Sequence, residues 1–236
     1  KQADLAMYRS KSHGPGGYSI FSTEETDSSA RLAFSTRLRR AVEGQDWVLH
    51  YQPIVDLREG KMIGVEGLLR WLDPTAGIIP PGDFIPLAEE MGLIEAIGEW
   101  VVQEICRQGA DWQRQGIDLD LGFNLSPRQL WQPDLADMIF ANVNASGVDP
   151  ARLVLEVTEG TAMTEPERTQ RILWDLHGRG LHLAIDDFGT GYSSLSYLHS
   201  FPFDKIKIDQ TFVRDIVANA DSRAIVRAVI GLGAEF

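Results

Sequence analysis

The sequence contains a single cysteine, Cys106, so it cannot form a disulfide within the chain, and this fits a reducing compartment such as the cytoplasm. It has no run of about 20 apolar residues of the kind that spans a membrane, and no signal peptide opens it. The five histidines are scattered, and none forms a zinc-type pair with another histidine or with the cysteine. These absences argue against a disulfide scaffold, a membrane-spanning segment and a zinc hydrolase.

Basic residues are also scarce: 22 Lys and Arg stand against 34 Asp and Glu, which gives a net charge of −12. This balance argues against nonspecific binding to a nucleic acid polymer, because such binding needs a basic face. It leaves room for a small nucleotide held through metal ions. No Gly-x-Gly-x-x-Gly or phosphate-loop pattern follows a predicted strand, which weakens the Rossmann and nucleotide-triphosphatase interpretations.

What the 236 residues do contain is an alternation of strands and helices from Arg31 onward. Most strands are apolar on both faces, as in buried parallel sheets. The pattern therefore predicts an α/β fold built from repeated βα units. Strands are predicted at 48–57, 62–71, 120–125, 153–158, 183–187 and 205–209, and helices at 31–43, 84–90, 95–115, 135–145, 166–179, 193–199 and 222–230, with a Pro- and Gly-rich loop at 74–86.

Polar groups interrupt these apolar strands at equivalent places. Taken singly, each has an ordinary interpretation as a solvent-facing strand residue, a turn, a helix cap or a snorkelling lysine. In a βα barrel, however, such positions converge at the carboxyl ends of the strands. Converging carboxylates repel unless cations neutralise them, and oxygen ligands suit Mg²⁺ or Mn²⁺. Two-metal sites of this kind commonly handle phosphate esters. The residues concerned are Glu66, Asn124, Glu156, Asp186, Asp187 and Lys207.

The same residues carry a family resemblance. The segment Glu66-Gly67-Leu68-Leu69-Arg70-Trp71 is similar to the signature Glu-Ala-Leu-x-Arg-Trp, with Gly67 in place of alanine. Four further motifs follow in the order and spacing of the EAL-domain cyclic-di-GMP phosphodiesterases, and the chain resembles that family from about Phe34 onward. They are Asn124-Leu125-Ser126, Glu156-Val157-Thr158-Glu159, the block from Asp186-Asp187-Phe188-Gly189-Thr190-Gly191 to Leu195, and the block from Lys207-Ile208-Asp209 to Val213.

The resemblance implies a fold, a modified TIM-like (βα)8 barrel whose first strand runs antiparallel. It also implies that residues 34–236 are an EAL domain from which the last two strands, with one further metal-site Glu and one further site Gln, are missing. Residues 1–21 resemble the last helix and strand of a GGDEF diguanylate cyclase domain, through the helix at 3–11 and the strand at 18–21. Residues 22–33 are then expected to be a linker.

The resemblance further implies the reaction, hydrolysis of cyclic di-GMP to linear pGpG with two divalent cations, Mg²⁺ or Mn²⁺. Lys207, Glu66 and Asp187 would be catalytic, and Lys207 would hold or activate the attacking water. The implied metal ligands are Glu66, Asn124, Glu156, Asp186 and Asp187. Residues implied to contact substrate are Gln52, Leu68, Arg70 and Asn124, and Glu159 would hold the loop after Asp187.

Two other functions remain open from the sequence. A catalytically inactive cyclic-di-GMP receptor would share the fold. Such receptors usually lose metal ligands, whereas every metal ligand that the resemblance implies within residues 34–236 is present. An unrelated Mg²⁺-dependent barrel enzyme of the enolase type would explain the acids but not the Asp-Asp-Phe-Gly-Thr-Gly block. The resemblance also implies a homodimer, and upstream GGDEF and sensor domains in a cytoplasmic or membrane-anchored parent protein. No membrane contact is expected for this segment.

Overall fold

The computed structural model describes residues 23–190 and 199–233. The chain divides into two compact units, residues 1–45 and residues 46–236. In the first unit the described residues form helix α1 (Thr23–Gly44). The segment predicted as a linker is therefore helical from Thr23 onward. The linker was predicted from polar and acidic composition, and such composition does not exclude a helix. The predicted GGDEF remnant lies outside the described residues.

The second unit is built on one mixed sheet. Strands β1 (Trp47–Val55) and β2 (Met62–Asp73) form an antiparallel hairpin, and β3 (Gly77–Ile79) pairs antiparallel with the end of β2. Four parallel strands follow, which gives the order β1-β2-β4-β5-β6-β7 with β3 beside β2. This arrangement confirms the α/β fold and the antiparallel first strand. The parallel strands are β4 (Asp120–Asn124), β5 (Leu153–Thr158), β6 (His182–Phe188) and β7 (Lys205–Ile208).

Helices alternate with the parallel strands, as in repeated βα units. Helix α3 (Ile94–Arg114) shows why: its buried residues recur every three to four positions, so one stripe faces the core. Its ends match the sequence prediction to within one residue. The helices are α2 (Pro81–Glu90), α3 (Ile94–Arg114), α4 (Pro127–Leu130), α5 (Leu135–Ser146), α6 (Glu159–Thr164), α7 (Pro166–Gly178), α8 (Gln210–Arg214) and α9 (Ala220–Gly233), with a 3₁₀ turn at Pro150–Arg152.

The sheet is strongly curved. Strands β2 and β7 are four strand spacings apart in the sheet order, which in a flat sheet would separate them by about 19 Å. Nevertheless Lys207 on β7 bonds to Glu66 on β2, with 3.0 Å between Nζ and Oε2. The sheet therefore curls like part of a barrel wall with its polar residues inside. Within the described residues it does not close, because β1 and β7 each pair with one strand only.

The outer surface of the curved sheet is covered by apolar packing. Helix α9, for example, buries Val229 against Ile185 and Phe188 of β6. The parallel strands contribute fully buried residues such as Leu155 and Leu183. This packing holds the strand ends in fixed relative positions, so the polar residues on the concave face are presented by a rigid frame. In the described segments, no helix combines the length and the apolar character needed to span a membrane.

The sequence prediction was wrong in one region and incomplete in another. The predicted loop at 74–86 contains β3 and the start of α2, so the described residues form seven strands where six were predicted. Strand β3 is three residues long and forms through its pairing with β2, for example Trp71 with Ile79, which local composition does not reveal. The short helices α4, α6 and α8 were not predicted. The helix predicted at 193–199 lies almost wholly outside the described residues.

Candidate active site

Three carboxylates from three strands meet on the concave face of the sheet. Glu66 lies in β2, Glu156 in β5 and Asp186 in β6, and one carboxylate oxygen from each lies within 4.8 Å of the other two. Glu156 is only 2% exposed, whereas Glu66 and Asp186 are half-buried. Three acids this close and this sheltered from water would repel one another without a neutralising group.

Two further predicted residues join the cluster. The Asn124 side-chain amide donates to Glu66 Oε1 at 2.9 Å and to Glu156 Oε2 at 3.4 Å. The Lys207 ammonium donates to all three carboxylates: to Glu66 at 3.0 Å, to Asp186 at 3.1 Å and to Glu156. The structure therefore brings together Glu66, Asn124, Glu156, Asp186 and Lys207, which are distributed over 142 positions of sequence.

Strand register explains how distant residues become neighbours. Glu66 is opposite Gly122, Asn124 is opposite Glu156, and Thr158 is opposite Asp186. Because side chains alternate between the two faces of a strand, residues in register or two positions apart share a face. Gly122 contributes by having no side chain: a Cβ there would lie well inside 3.0 Å of Glu156 Oε1. The Glu156 carboxylate thus occupies the space above Gly122.

The charges of the cluster are mutually dependent. Burial raises the pKa of Glu156 to about 7, and the Lys207 ammonium opposes that rise. For Lys207, burial alone lowers the pKa, but the surrounding carboxylates Glu156, Glu66 and Asp186 outweigh it and raise the pKa overall. Lys207 therefore remains protonated at neutral pH and acts as the cation of the cluster.

These residues fit a divalent cation. The donor set is made of carboxylate and amide oxygens, which Mg²⁺ and Mn²⁺ prefer. The three carboxylate oxygens already converge closely enough to surround one ion. That they attract positive charge is visible directly, since the single ammonium of Lys207 contacts all three.

Asp187 stands next to the cluster, directly after Asp186 in β6. It is an exposed residue with a left-handed backbone, φ = 54°, and its backbone N–H donates to Asp186 Oδ1 at 2.9 Å. Burial of its carboxyl group raises its pKa, and the charges of Asp186 and Asp209 raise it further. Asp187 therefore forms a second acidic pair with Asp209, separate from the three carboxylates that surround Lys207.

Glu159 is buried behind the strand end that carries Asp187. Its carboxylate Oε2 accepts a hydrogen bond from the Gly189 backbone N–H at 2.8 Å. Gly189 has φ = 101°, a conformation that side-chain-bearing residues rarely adopt, and the Thr190 hydroxyl donates to the Asp187 carbonyl at 2.9 Å. The first residues of the loop after Asp187 are thus tied to a buried carboxylate. The rest of the motif, Gly191 to Leu195, lies outside the described residues.

The predicted substrate residues lie on β1 and β2. Gln52 is exposed and directly opposite Glu66 in the hairpin, so both side chains face the same side. Leu68 and Arg70 follow Glu66 at two-residue intervals on that face, and both are half-buried. The Arg70 guanidinium donates to the Leu69 carbonyl at 2.8 Å. Within the described residues, none of these side chains forms a hydrogen bond or a salt bridge with a carboxylate of the cluster.

Sequence reasoning missed the residues that shape the site without bearing charge. Gly122 makes room for Glu156, and Gln129 and Gly98 support the turn after Asn124. A signal existed for Gly98, because a glycine inside a helix is unfavourable compared with alanine and its presence suggests a packing reason. No comparable signal marked Gly122, since the identity of its neighbour depends on strand register.

We expect Gly67→Ala to lower the free energy of unfolding by about 1 kcal/mol. An added Cβ would lie 2.7 Å from Ile105 Cδ1, and Ile105 is fully buried in α3. Overpacking costs about 1–3 kcal/mol, and removing a strand glycine returns about 0.5–1 kcal/mol. Urea unfolding of Gly67→Ala, Ile105→Val and the double variant measures this. Because valine lacks Cδ1, the clash is absent from the double variant, which should be about 0.5–1 kcal/mol more stable than Ile105→Val. Full additivity of the two losses would contradict the steric explanation.

Comparison with known proteins gives one consistent family. The EAL domain family matches residues 35–236. MucR of Pseudomonas aeruginosa, a bifunctional diguanylate cyclase/cyclic di-GMP phosphodiesterase, is 44% identical over 233 residues, which are 98% of this chain and 34% of MucR. The cyclic di-GMP phosphodiesterase PdeR of Escherichia coli is 38% identical over 233 residues, which are 98% of this chain and 35% of PdeR.

A solved structure gives the same result. The PaMucR phosphodiesterase in its c-di-GMP complex has a TM-score of 0.82 and 45% sequence identity, covering 85% of this chain and 81% of that one. Eight curated relatives that the chain matches are much longer than it is, since the chain spans 28% to 38% of their length.

Proposed function

This chain belongs to the EAL domain family, and from that premise we propose that it hydrolyses cyclic di-GMP to linear pGpG in a metal-dependent reaction. The observation that carries the proposal is the convergence of Glu66, Glu156 and Asp186 on one ammonium group, inside a curved sheet and within bonding distance of an amide. The substrate is taken from MucR and PdeR, which are cyclic di-GMP phosphodiesterases.

Two divalent cations, Mg²⁺ or Mn²⁺, complete the site in this proposal. Glu66, Asn124, Glu156 and Asp186 would hold the first with their side-chain oxygens, and Asp187 would provide a ligand to the second. When bound, such ions lower the energy of the charge that develops on a phosphoryl group under attack. The proximity of Asp187 to Asp209 supports the second site. Partial burial raises the pKa of Asp187, and the charges of Asp186 and Asp209 raise it further, so a cation beside it would relieve this repulsion.

The protein's own side chains supply positioning. Lys207 Nζ lies at the centre of the carboxylates and can donate to a water molecule or a phosphate oxygen placed there. Arg70 would turn from the Leu69 carbonyl to a substrate phosphate, since a guanidinium suits phosphate geometry. Gln52 and Leu68 would line the same face of the hairpin. Glu159 would keep the Asp187 turn in place through the Gly189 N–H.

The proposal extends to the wider protein. MucR combines diguanylate cyclase and phosphodiesterase activities in one chain, which supports a GGDEF domain before this EAL domain. We place the reaction in the cytoplasm, within a parent protein that carries its own sensor domains, and in a homodimer. Substrate binding would be confined to the small nucleotide, because the net charge of −12 disfavours a nucleic acid polymer.

The test is to incubate the purified protein with cyclic di-GMP and Mn²⁺ or Mg²⁺ and to follow the products by chromatography. We expect conversion to pGpG, and we expect EDTA to stop it. Equilibrium binding of cyclic di-GMP, measured in parallel, separates the enzyme from the receptor. Tight binding with no pGpG in either metal would overturn the proposal in favour of a non-catalytic receptor, and neither binding nor product would reject both.

A further inference from the structure

The turn that follows Asn124, the last residue of β4, is held by a hydrogen bond to the buried Gln129. We infer that Gln129, seated in the space left by Gly98, is a positioning residue for Asn124. The inference rests on the proposed function, because it assigns Gln129 a role in the affinity of the same metal site.

Gln129 closes a reciprocal pair of hydrogen bonds with Ser126. The Ser126 backbone N–H donates to Gln129 Oε1 at 2.9 Å, and the Gln129 backbone N–H donates to Ser126 Oγ at 3.5 Å. This is the capping box of helix α4, which begins one residue after Ser126. Because Ser126 is two residues beyond Asn124, the box fixes the direction in which the chain leaves the strand that presents the asparagine.

The side-chain amide of Gln129 packs directly against Gly98. Gln129 is 4% exposed, and a Cβ at Gly98 of helix α3 would overlap its Nε2 atom. Glycine in the interior of a helix is unfavourable compared with alanine, so Gly98 has a local cost that needs a reason. In the structure, glycine at this position leaves room for the side-chain amide of Gln129. The 21-residue helix α3 thereby becomes the rigid support against which the turn rests.

Asn124 is the residue whose placement this support controls. Its amide bridges Glu66 on β2 and Glu156 on β5, at 2.9 Å and 3.4 Å. Asn124 is the last residue of β4, so the ladder bonds of that strand hold it on one side only. On the other side, the buried Leu125 follows directly, and the Ser126–Gln129 box then fixes the backbone of the turn. Partners that hydrogen-bond a ligand directly affect metal affinity about 10- to 100-fold. Gln129 acts through Ser126 instead, so we expect an effect at the lower end of that range.

The experiment measures binding of Mn²⁺ alone, from the electron paramagnetic resonance signal of the free ion, with thermal unfolding of each variant as a control for folding. Gln129→Met keeps the volume and removes the bond to Ser126, so we expect Mn²⁺ affinity to fall about tenfold. We expect Gly98→Ala to lower Mn²⁺ affinity by a similar factor, because its methyl group would displace the Gln129 amide. Gln129→Glu keeps the acceptor of the capping box and should retain most of the affinity.

A double-mutant cycle separates positioning from general stability. In an Asn124→Ala background, Gln129→Met should cause no further loss of Mn²⁺ affinity, because the residue that it positions is gone. The inference is overturned if Gln129→Met binds Mn²⁺ as the wild type does, or if it loses the same factor with and without Asn124. Wild-type protein that binds no Mn²⁺ would reject this inference and the metal site together, whereas Mn²⁺ binding without pGpG formation would reject the hydrolysis alone.

Discussion

Replacing Gly122 by alanine is expected to lower kcat/KM for cyclic di-GMP hydrolysis about a hundredfold in a protein that still folds. The added Cβ would lie well inside 3.0 Å of Glu156 Oε1, with Glu156 Cδ at 3.3 Å. The carboxylate is the mobile end of a side chain, so it moves aside more easily than the backbone does. A displacement of about 1 Å is enough to cost about a hundredfold in rate when a reacting group is misplaced.

The comparison variants for Gly122→Ala are Glu156→Gln and Gly231→Ala. Glu156→Gln removes the charge in place, and its rate sets the expected lower limit. Gly231, in helix α9, has open space around the position of a Cβ, so its alanine variant reports the general effect of losing a glycine. Initial rates and thermal unfolding are measured for all three. A Gly122→Ala protein that folds normally and hydrolyses at the wild-type rate would show that the position of Glu156 does not matter.

The sequence was most informative where a charge interrupts a strand. Glu156 stands inside the apolar run Leu153–Thr158, which the structure shows to be buried. Alone it could have been a solvent-facing residue, but several such charges at equivalent places on different strands indicated a site. The same reasoning applies to Glu66 and to Lys207. Together with alternating strands and helices, these residues were enough to predict an α/β fold whose polar groups converge, and the curvature of the sheet confirms that convergence.

What the sequence could not supply was the geometry that depends on register and curvature. Nothing local indicates that Gly122 lies under Glu156, because that contact depends on how β4 and β5 pair. Likewise, Asp186 and Asp187 are adjacent in sequence, yet Asp186 bonds to Lys207 whereas Asp187 interacts with Asp209. Capping and pairing decided the missed elements too, since α4 is a single turn organised by the Ser126 cap.

Lys207→Met is expected to lower the free energy of unfolding of the metal-free protein by about 3 kcal/mol, the lower end of the usual effect of removing one partner from a buried ion pair, because two of its three partners are half-buried. The Lys207 side chain is 28% exposed and bonds to three carboxylates, of which Glu156 is almost fully buried. Without the ammonium, these carboxylates face one another with no cation between them. Urea unfolding in the presence of EDTA measures the loss.

The same variant should respond to Mn²⁺ more strongly than the wild type does. In the wild type an ion has to displace an ammonium from Glu66, Glu156 and Asp186, whereas in Lys207→Met the carboxylates are free to bind it. Ligand that binds only the folded state at a hundred times its Kd adds about 2.7 kcal/mol, so Mn²⁺ should recover much of the lost stability. Hydrolysis should remain low, because a thioether cannot donate to a water or a phosphate oxygen.

Lys205→Met provides the matched control on the same strand. Lys205 Nζ lies 2.6 Å from Asp120 Oδ2, in a pair whose lysine side chain is 44% exposed, and exposed pairs contribute only about 0–1 kcal/mol. Lys205→Met should therefore lower the free energy of unfolding only slightly and should not change the response to Mn²⁺. If Lys207→Met were no less stable than Lys205→Met in EDTA, or gained no more from Mn²⁺ than the wild type, then Lys207 would not be neutralising the site. If both differences appear, one set of oxygen ligands accepts either the ammonium or the metal ion, and the positive charge of Lys207 accounts for the folding of so acidic a cluster before any metal is bound.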